Sequence, residues 1–127
     1  EISDSYRKSL KNKFENQNVV ILANDAKELK NIVPDSSVDK LLAVNVVYFL
    51  EPLDSYVKEF HRIIKQGGEG IIACKFNGVA SFDDSVAVNK DIDFVTSSFE
   101  KGGFSTSHIN VDLGNDFSKY TAISIKK

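Results

Sequence analysis

Methionine is absent from this chain, cysteine occurs once, histidine twice and proline twice, and only seven glycines are spread over 127 residues. A single cysteine excludes an internal disulfide, and Cys74 sits inside the apolar run Ile71-Ile72-Ala73-Cys74, which reads as a buried free thiol and points to a reducing, cytoplasmic setting. One cysteine and two separated histidines assemble no zinc site, catalytic triad or Cys–His pair, so no metal is expected. His61, on the polar side of a helix, and His108, in a late strand, read as structural or solvated. No P-loop is present, and no G-x-G-x-x-G opens a strand–helix junction, which disfavours a dinucleotide or flavin binder. Excess charge of one sign is also missing: sixteen basic and eighteen acidic residues give a net charge of −2, no footprint for nucleic acid or for an anionic membrane surface. Long hydrophobic runs are lacking too. The longest, Leu41 to Leu50, is broken by Asn45 and is too short to span a bilayer, and the amino terminus carries no signal-peptide pattern.

What is present is a globular composition, 42% apolar and 27% charged, with the length of one domain over residues 1–127 and no repeat or linker. Leu53, Tyr56, Val57, Phe60, Ile63 and Ile64 recur at i, i+3, i+4, i+7, i+10 and i+11, the stripe of an amphipathic helix, with Pro52 at its first turn and Lys65 and Gly67 at its end. An apolar strand, Gly70 to Phe76, follows at once. Upstream, Ser3 suits an N-cap for a helix carrying Tyr6, Leu10 and Phe14 and ending near Asn16. Val19 to Ala23 reads as a buried parallel strand, Ala26 to Ile32 as a short helix, Pro34-Asp35-Ser36-Ser37 as a turn and Val38 to Val44 as the next strand. Downstream, residues 77–89 read as a polar loop able to cover a site. A helix from Lys90 to Lys101, with Ile92, Val95 and Phe99 inward, stops at Gly102-Gly103. Phe104 to Val111 and Lys119 to Ile125 then form an antiparallel hairpin about Gly114-Asn115-Asp116. Alternating helices and strands imply right-handed crossovers onto a mostly parallel sheet, an α/β fold.

Arg62-x-x-Lys65-x-Gly67-Gly68 before a buried strand resembles the "R-v-L-k-P-G-G" signature of class I S-adenosylmethionine-dependent methyltransferases, with Gln66 in place of the proline. Asn24-Asp25-Ala26-Lys27-Glu28-Leu29 resembles that family's "g-D-a-x-x-L" segment, and Ser37 to Leu50 resembles "s-f-D-x-v-x-x-x-x-v-l-x-x-l". Gly102-Gly103-Phe104 and the final Ile123 to Lys127 look like the "a-G-F" turn and terminal strand. The resemblance implies a Rossmann-like methyltransferase sheet with helices on both faces and a carboxyl-terminal antiparallel hairpin. One part is missing: the family opens with a strand and a G-x-G-x-G turn, which none of the seven glycines supplies. The chain is therefore expected to start in mid-domain with amino-terminal strands missing, and the lack of an initiating methionine fits a truncated or a processed chain alike. In the family order 3-2-1-4-5-7-6, Val19 to Ala23 would lie two empty lanes, about 10 Å, from Val38 to Val44. A continuous ladder between them, or a second chain that supplies the missing lanes, is the alternative.

Ligands of open α/β sheets bind where parallel strands end. By resemblance, S-adenosyl-L-methionine is the cofactor, Glu1 accepts its ribose hydroxyls, Asp25 accepts the adenine amino group and the Ala26 amide meets a neighbouring ring nitrogen. A solvated terminal glutamate and a helix cap are the plain alternatives for Glu1 and Asp25. Asn45 and Val46 are expected at the methionine end. Tyr48 and Phe49 would flank the transferred methyl, plain core packing being the stronger alternative for Phe49 because Tyr48 has a hydroxyl to place. Phe76 and Asn77 would border a small-molecule acceptor. No catalytic residue is named, since the donor is already activated and any base is specific to the substrate. The rival function is a non-catalytic methyltransferase-like module that binds a protein partner, favoured by the missing Gly-rich turn.

Overall fold

The structure, a computed structural model, describes residues 1, 3–114 and 119–127. Helix α1 spans Asp4–Lys13, strand β1 Val38–Val44, helix α2 Leu53–Ile63, strand β2 Ile64–Cys74, the short helix α3 Phe76–Val79, helix α4 Ile92–Lys101, and strands β3 and β4 Ser105–Asp112 and Lys119–Lys126. The four strands form one sheet in the order β1-β2-β4-β3. β1 and β2 run parallel, with Leu41 opposite Gly70 and Val44 opposite Ala73, while β4 lies antiparallel to both β2 and β3. The α/β class and the carboxyl-terminal antiparallel pair match the sequence reading. The turn expected at Asn115-Asp116 lies outside the described residues.

Alternation along the strands decides where the core sits. Ile72, Cys74, Ile123 and Ile125 are fully buried on one face, under Val57 and Phe60 of α2 and Val95 and Phe99 of α4. The other face presents Leu42, Val44, Ile71 and Ile109 to solvent, so the described elements do not supply its cover. Two glycines allow the helices to close. A side chain at Gly102 would collide with Val57, and Gly103, with φ 97°, reverses the chain against the His61 ring.

Four local expectations are corrected. Val19 to Ala23 forms no ladder with β1 or any strand among the described residues: Val19 and Val20 are exposed, and the link is from the Glu1 amino group to the Leu22 carbonyl at 3.0 Å. A strand without a partner leaves its backbone groups to water, so the segment stays irregular. Ala26 to Ile32 forms successive turns instead of a helix, because the Leu29 N–H goes to Glu59 Oε1 at 2.9 Å and leaves the helical ladder. Helix α1 stops at Lys13, short of Asn16, and buries none of its residues; Ser3 makes no side-chain cap. Helix α2 ends at Ile63, before the glycines: Lys65 to Gly68 instead form an irregularity within β2, with Gly67 at φ 76° and its N–H on the Lys127 carbonyl. The Lys127 ammonium then caps α2 by donating to the carbonyls of His61 and Ile64 at 2.6 and 2.9 Å.

Candidate functional site at the carboxyl edge of the parallel strands

Where β1 ends, Asn45 takes φ 54°, a left-handed conformation that asparagine tolerates, while its N–H still reaches the Ala73 carbonyl at 2.8 Å. The reversal sends the chain off the sheet into the single 3-10 turn Val47–Phe49. That turn points Val47 and Tyr48 inward and Phe49 outward, the reverse of the expectation for the two rings: Tyr48 is 2% exposed and Phe49 48%. Tyr48 stands edge-on to both Phe49 and Phe76. Its hydroxyl accepts the Lys75 backbone N–H and donates to Asn45 Oδ1 at 3.4 Å. Burial pushes the Tyr48 phenol up to about 12 despite the Lys75 amide, so it stays protonated and serves as a fixed donor.

The turn is held from behind by Asn89, which is buried and donates its side-chain N–H groups to the carbonyls of Val47 and Leu50, each at 2.8 Å. The N–H groups of Val88 and Asn89 both reach the Tyr48 carbonyl. The segment expected as a loop is therefore anchored at both ends, by α3 with buried Val79 and by buried Ala87 and Asn89.

Because β4 runs antiparallel to β2, its first residues arrive at the edge where β1 and β2 stop, and Cys74 faces Thr121. Tyr120 thus joins the cluster. The Lys75 ammonium and the Asn45 amide both hydrogen-bond its phenol and hold it below the ordinary value of 10.0. Lys75 Nζ also lies 4.5 Å from the Tyr120 ring centroid. Beside this cluster opens a cavity of about 320 Å³ lined by Cys74, Phe76, Asn77, Asp112, Tyr120 and Thr121, among others. Burial pushes the Cys74 thiol up to about 12, so it is a neutral wall. Lys75 and Tyr120 escaped the sequence reading: one follows an apolar strand, the other starts one, and only the antiparallel return of β4 brings them together. Asn89 had a legible signal, a lone amide after the apolar Val86-Ala87-Val88.

Asp25 sits at a second locus, against α2. Its Oδ1 accepts the Lys27 N–H at 3.2 Å, its Oδ2 accepts the Tyr56 hydroxyl at 3.1 Å, and Lys27 Nζ lies 3.7 Å away. Burial works against the charged carboxylate, but the Tyr56 and Lys27 contacts outweigh it and leave Asp25 below its ordinary 3.8. With no helix behind it, Asp25 closes a turn instead of capping a helix. Ala26 packs on the core, Val46 is exposed, and the exposed Glu1 carboxylate accepts the Ser3 N–H at 2.8 Å. Asn45, Tyr48, Phe76 and Asn77 are brought together at the strand edge, whereas no hydrogen bond among the described residues links them to Asp25 or Glu1. His61 packs edge-on against Phe104, and His108 is exposed on β3. Among the described residues no group of His, Cys, Asp and Glu could hold a metal ion.

Residues 1–72 match a family model described as a methyltransferase domain. No curated protein sequence matches the chain. Among solved structures, a SAM-dependent methyltransferase from Archaeoglobus fulgidus is similar with a TM-score of 0.72 at 14% identity, covering 100% of this chain and 74% of that one. An S-adenosylmethionine-dependent methyltransferase from Mesorhizobium loti reaches 0.77 at 9% identity, covering 100% and 78%. The N-methyltransferase NodS from Bradyrhizobium japonicum reaches 0.76 at 9% identity, covering 100% and 70%. At these identities the likeness speaks for the fold.

Proposed function

This chain belongs to the methyltransferase domain family, and from that premise we propose that residues 1–127 are a single, incomplete methyltransferase domain whose full form transfers a methyl group from S-adenosyl-L-methionine to a small-molecule acceptor. The observation that carries the reading is the polar cluster of Asn45, Tyr48, Lys75 and Tyr120 at the carboxyl ends of two parallel strands, beside a cavity of about 320 Å³. The donor set suits the cofactor. Asp25 and Glu1 offer carboxylates with lone pairs to spare for an amino group and for hydroxyls, and Val46 and Phe49 offer exposed apolar surface just after Asn45. When bound, S-adenosylmethionine supplies an activated methyl on a sulfonium. The chain's own residues then have to bind, orient and exclude water. Asn45, fixed by its left-handed turn and by Tyr48, would hold the methionine end of the cofactor. Phe76 and Asn77 border the acceptor cavity. The buried, unpaired Cys74 supports a reducing, cytoplasmic setting, and among the described residues no helix is long and apolar enough to cross a membrane.

Calorimetric titration with S-adenosylmethionine tests the reading. Binding is expected, and Asp25→Ala should weaken it more than it lowers the melting temperature. Unchanged affinity with a large loss of stability would reduce Asp25 to its structural bond with Tyr56. Binding by a longer version but not by residues 1–127 would mean that this chain is truncated, while failure of both would favour a non-catalytic module that uses the fold for a protein partner.

A further inference from the structure

We propose that Tyr120 is the proton acceptor of the reaction, taking the proton from an amine or hydroxyl acceptor as it is methylated, with Lys75 and Asn45 holding its oxygen in place. The inference rests on the functional reading above and names both a residue and an acceptor class for that site. Three observations converge on Tyr120. It lines the acceptor-sized cavity at the edge where both parallel strands stop. Its ring lies under the Lys75 side chain, with Nζ 4.5 Å from the ring centroid, and its phenol interacts with both Lys75 and Asn45, the latter also accepting from Tyr48 through Oδ1. Both neighbours are anchored nearby, since the Lys75 backbone N–H and the Asn45 side chain are bound to the same buried Tyr48 hydroxyl.

Hydrogen bonding to Lys75 and Asn45 favours the anionic form of an oxygen so placed, and the Tyr120 phenol is correspondingly held below 10.0. The other titratable groups around it do not compete for the role. Tyr48 and Cys74 are each raised to about 12 by burial and stay protonated, while Asp112 on the cavity wall pairs with Lys119 at 4.0 Å. The step balances. The acceptor's lone pair forms the new bond to carbon, the electron pair of the broken carbon–sulfur bond stays on sulfur, and the acceptor's proton passes to the Tyr120 oxygen. The phenol formed there returns its proton to water at the open mouth of the cavity. A thiol acceptor, which ionises unaided, gains little from such a base.

The test compares the wild type with Tyr120→Phe and Lys75→Met, using benzylamine, catechol and 2-mercaptoethanol as probe acceptors. Tyrosinate absorbance, which needs no turnover, should show one phenol ionising below the rest, lost in Tyr120→Phe and displaced to higher pH in Lys75→Met. Calorimetry should show S-adenosylmethionine bound equally by all three proteins. Tyr120→Phe should lower transfer to benzylamine or catechol about 100-fold and spare the thiol, and Lys75→Met should move the rise of kcat/KM to higher pH. An equal loss on all three probes makes Tyr120 structural and overturns the proposal. So does a pH profile unmoved in Lys75→Met, or transfer to the thiol alone, or none to either proton-bearing probe by a wild type that binds the cofactor. Absence of S-adenosylmethionine binding by both this chain and a longer version of it overturns the functional reading itself, and the proposal with it.

Discussion

Asn89 shows how one buried amide can position a site it does not touch. Its two N–H bonds hold the Val47 and Leu50 carbonyls, and the turn between them sets Tyr48. In Asn89→Ala the Val47 carbonyl keeps the Leu50 N–H, but the Leu50 carbonyl loses its described donor. The expected cost is about 1–3 kcal/mol, read by urea denaturation, together with a rise in tyrosine fluorescence mobility from a loosened Tyr48. Gly102 acts through closeness alone, since its φ of −76° suits any residue. A methyl there meets Val57, so Gly102→Ala should destabilise by roughly 1–3 kcal/mol; a neutral result would mean that α4 can shift away from α2 freely.

At the scale of elements, α2 works on two sides. Its apolar stripe packs on the sheet, while Tyr56, Glu59 and Arg62 hold irregular chain that has no regular backbone pairing of its own. Glu59 receives the Leu29 N–H and two bonds from Arg62, at 2.9 and 2.7 Å, and Arg62 continues to Asp35. Arg62 thereby keeps Glu59 below its ordinary 4.5, although burial opposes it. The sign follows from linkage: a carboxyl depressed in the fold contributes stability in full above 4.5, and loses it as pH falls through the lower folded value. Glu59→Gln should therefore flatten the loss of stability below pH 4.5 and, near neutrality, raise amide exchange at Leu29 by roughly tenfold, the effect of about 1.4 kcal/mol of lost hydrogen bonding to a charged group. Exchange at Leu29 that matches the wild type would show that the apolar contacts of Ala26, Leu29 and Val33 suffice to dock the segment.

For the molecule as a whole, one core between a sheet face and two helices carries the fold, and Phe99 sits at its centre with no exposure. Phe99→Ala removes a ring that also meets Phe104 at 5.8 Å, so about 3–5 kcal/mol should be lost. The loss should appear as one cooperative transition at a lower denaturant midpoint, since α2, α4 and the sheet share that core. Two separate transitions would divide the chain into independent units.

Periodicity alone determined the elements that pack on this core. The stripe from Leu53 to Ile63, the apolar runs of β1, β2 and β4, and the inward Val95 and Phe99 are local patterns, legible because burial demands them at a fixed spacing. The same logic failed for Val19 to Ala23 and Ala26 to Ile32. A strand requires a neighbour docked beside it and a short helix can yield its N–H to a competing carboxylate, and neither the ladder that fails to form nor Glu59 is visible in local sequence. The site divides in the same way. Asn45, Phe76 and Asn77 were legible because they end apolar runs, whereas Lys75 and Tyr120 meet only because β4 returns antiparallel across 45 residues of chain, a matter of tertiary topology. Tyr48 and Phe49 differ by one position, and only the turn off the sheet decided which ring is buried and which faces solvent.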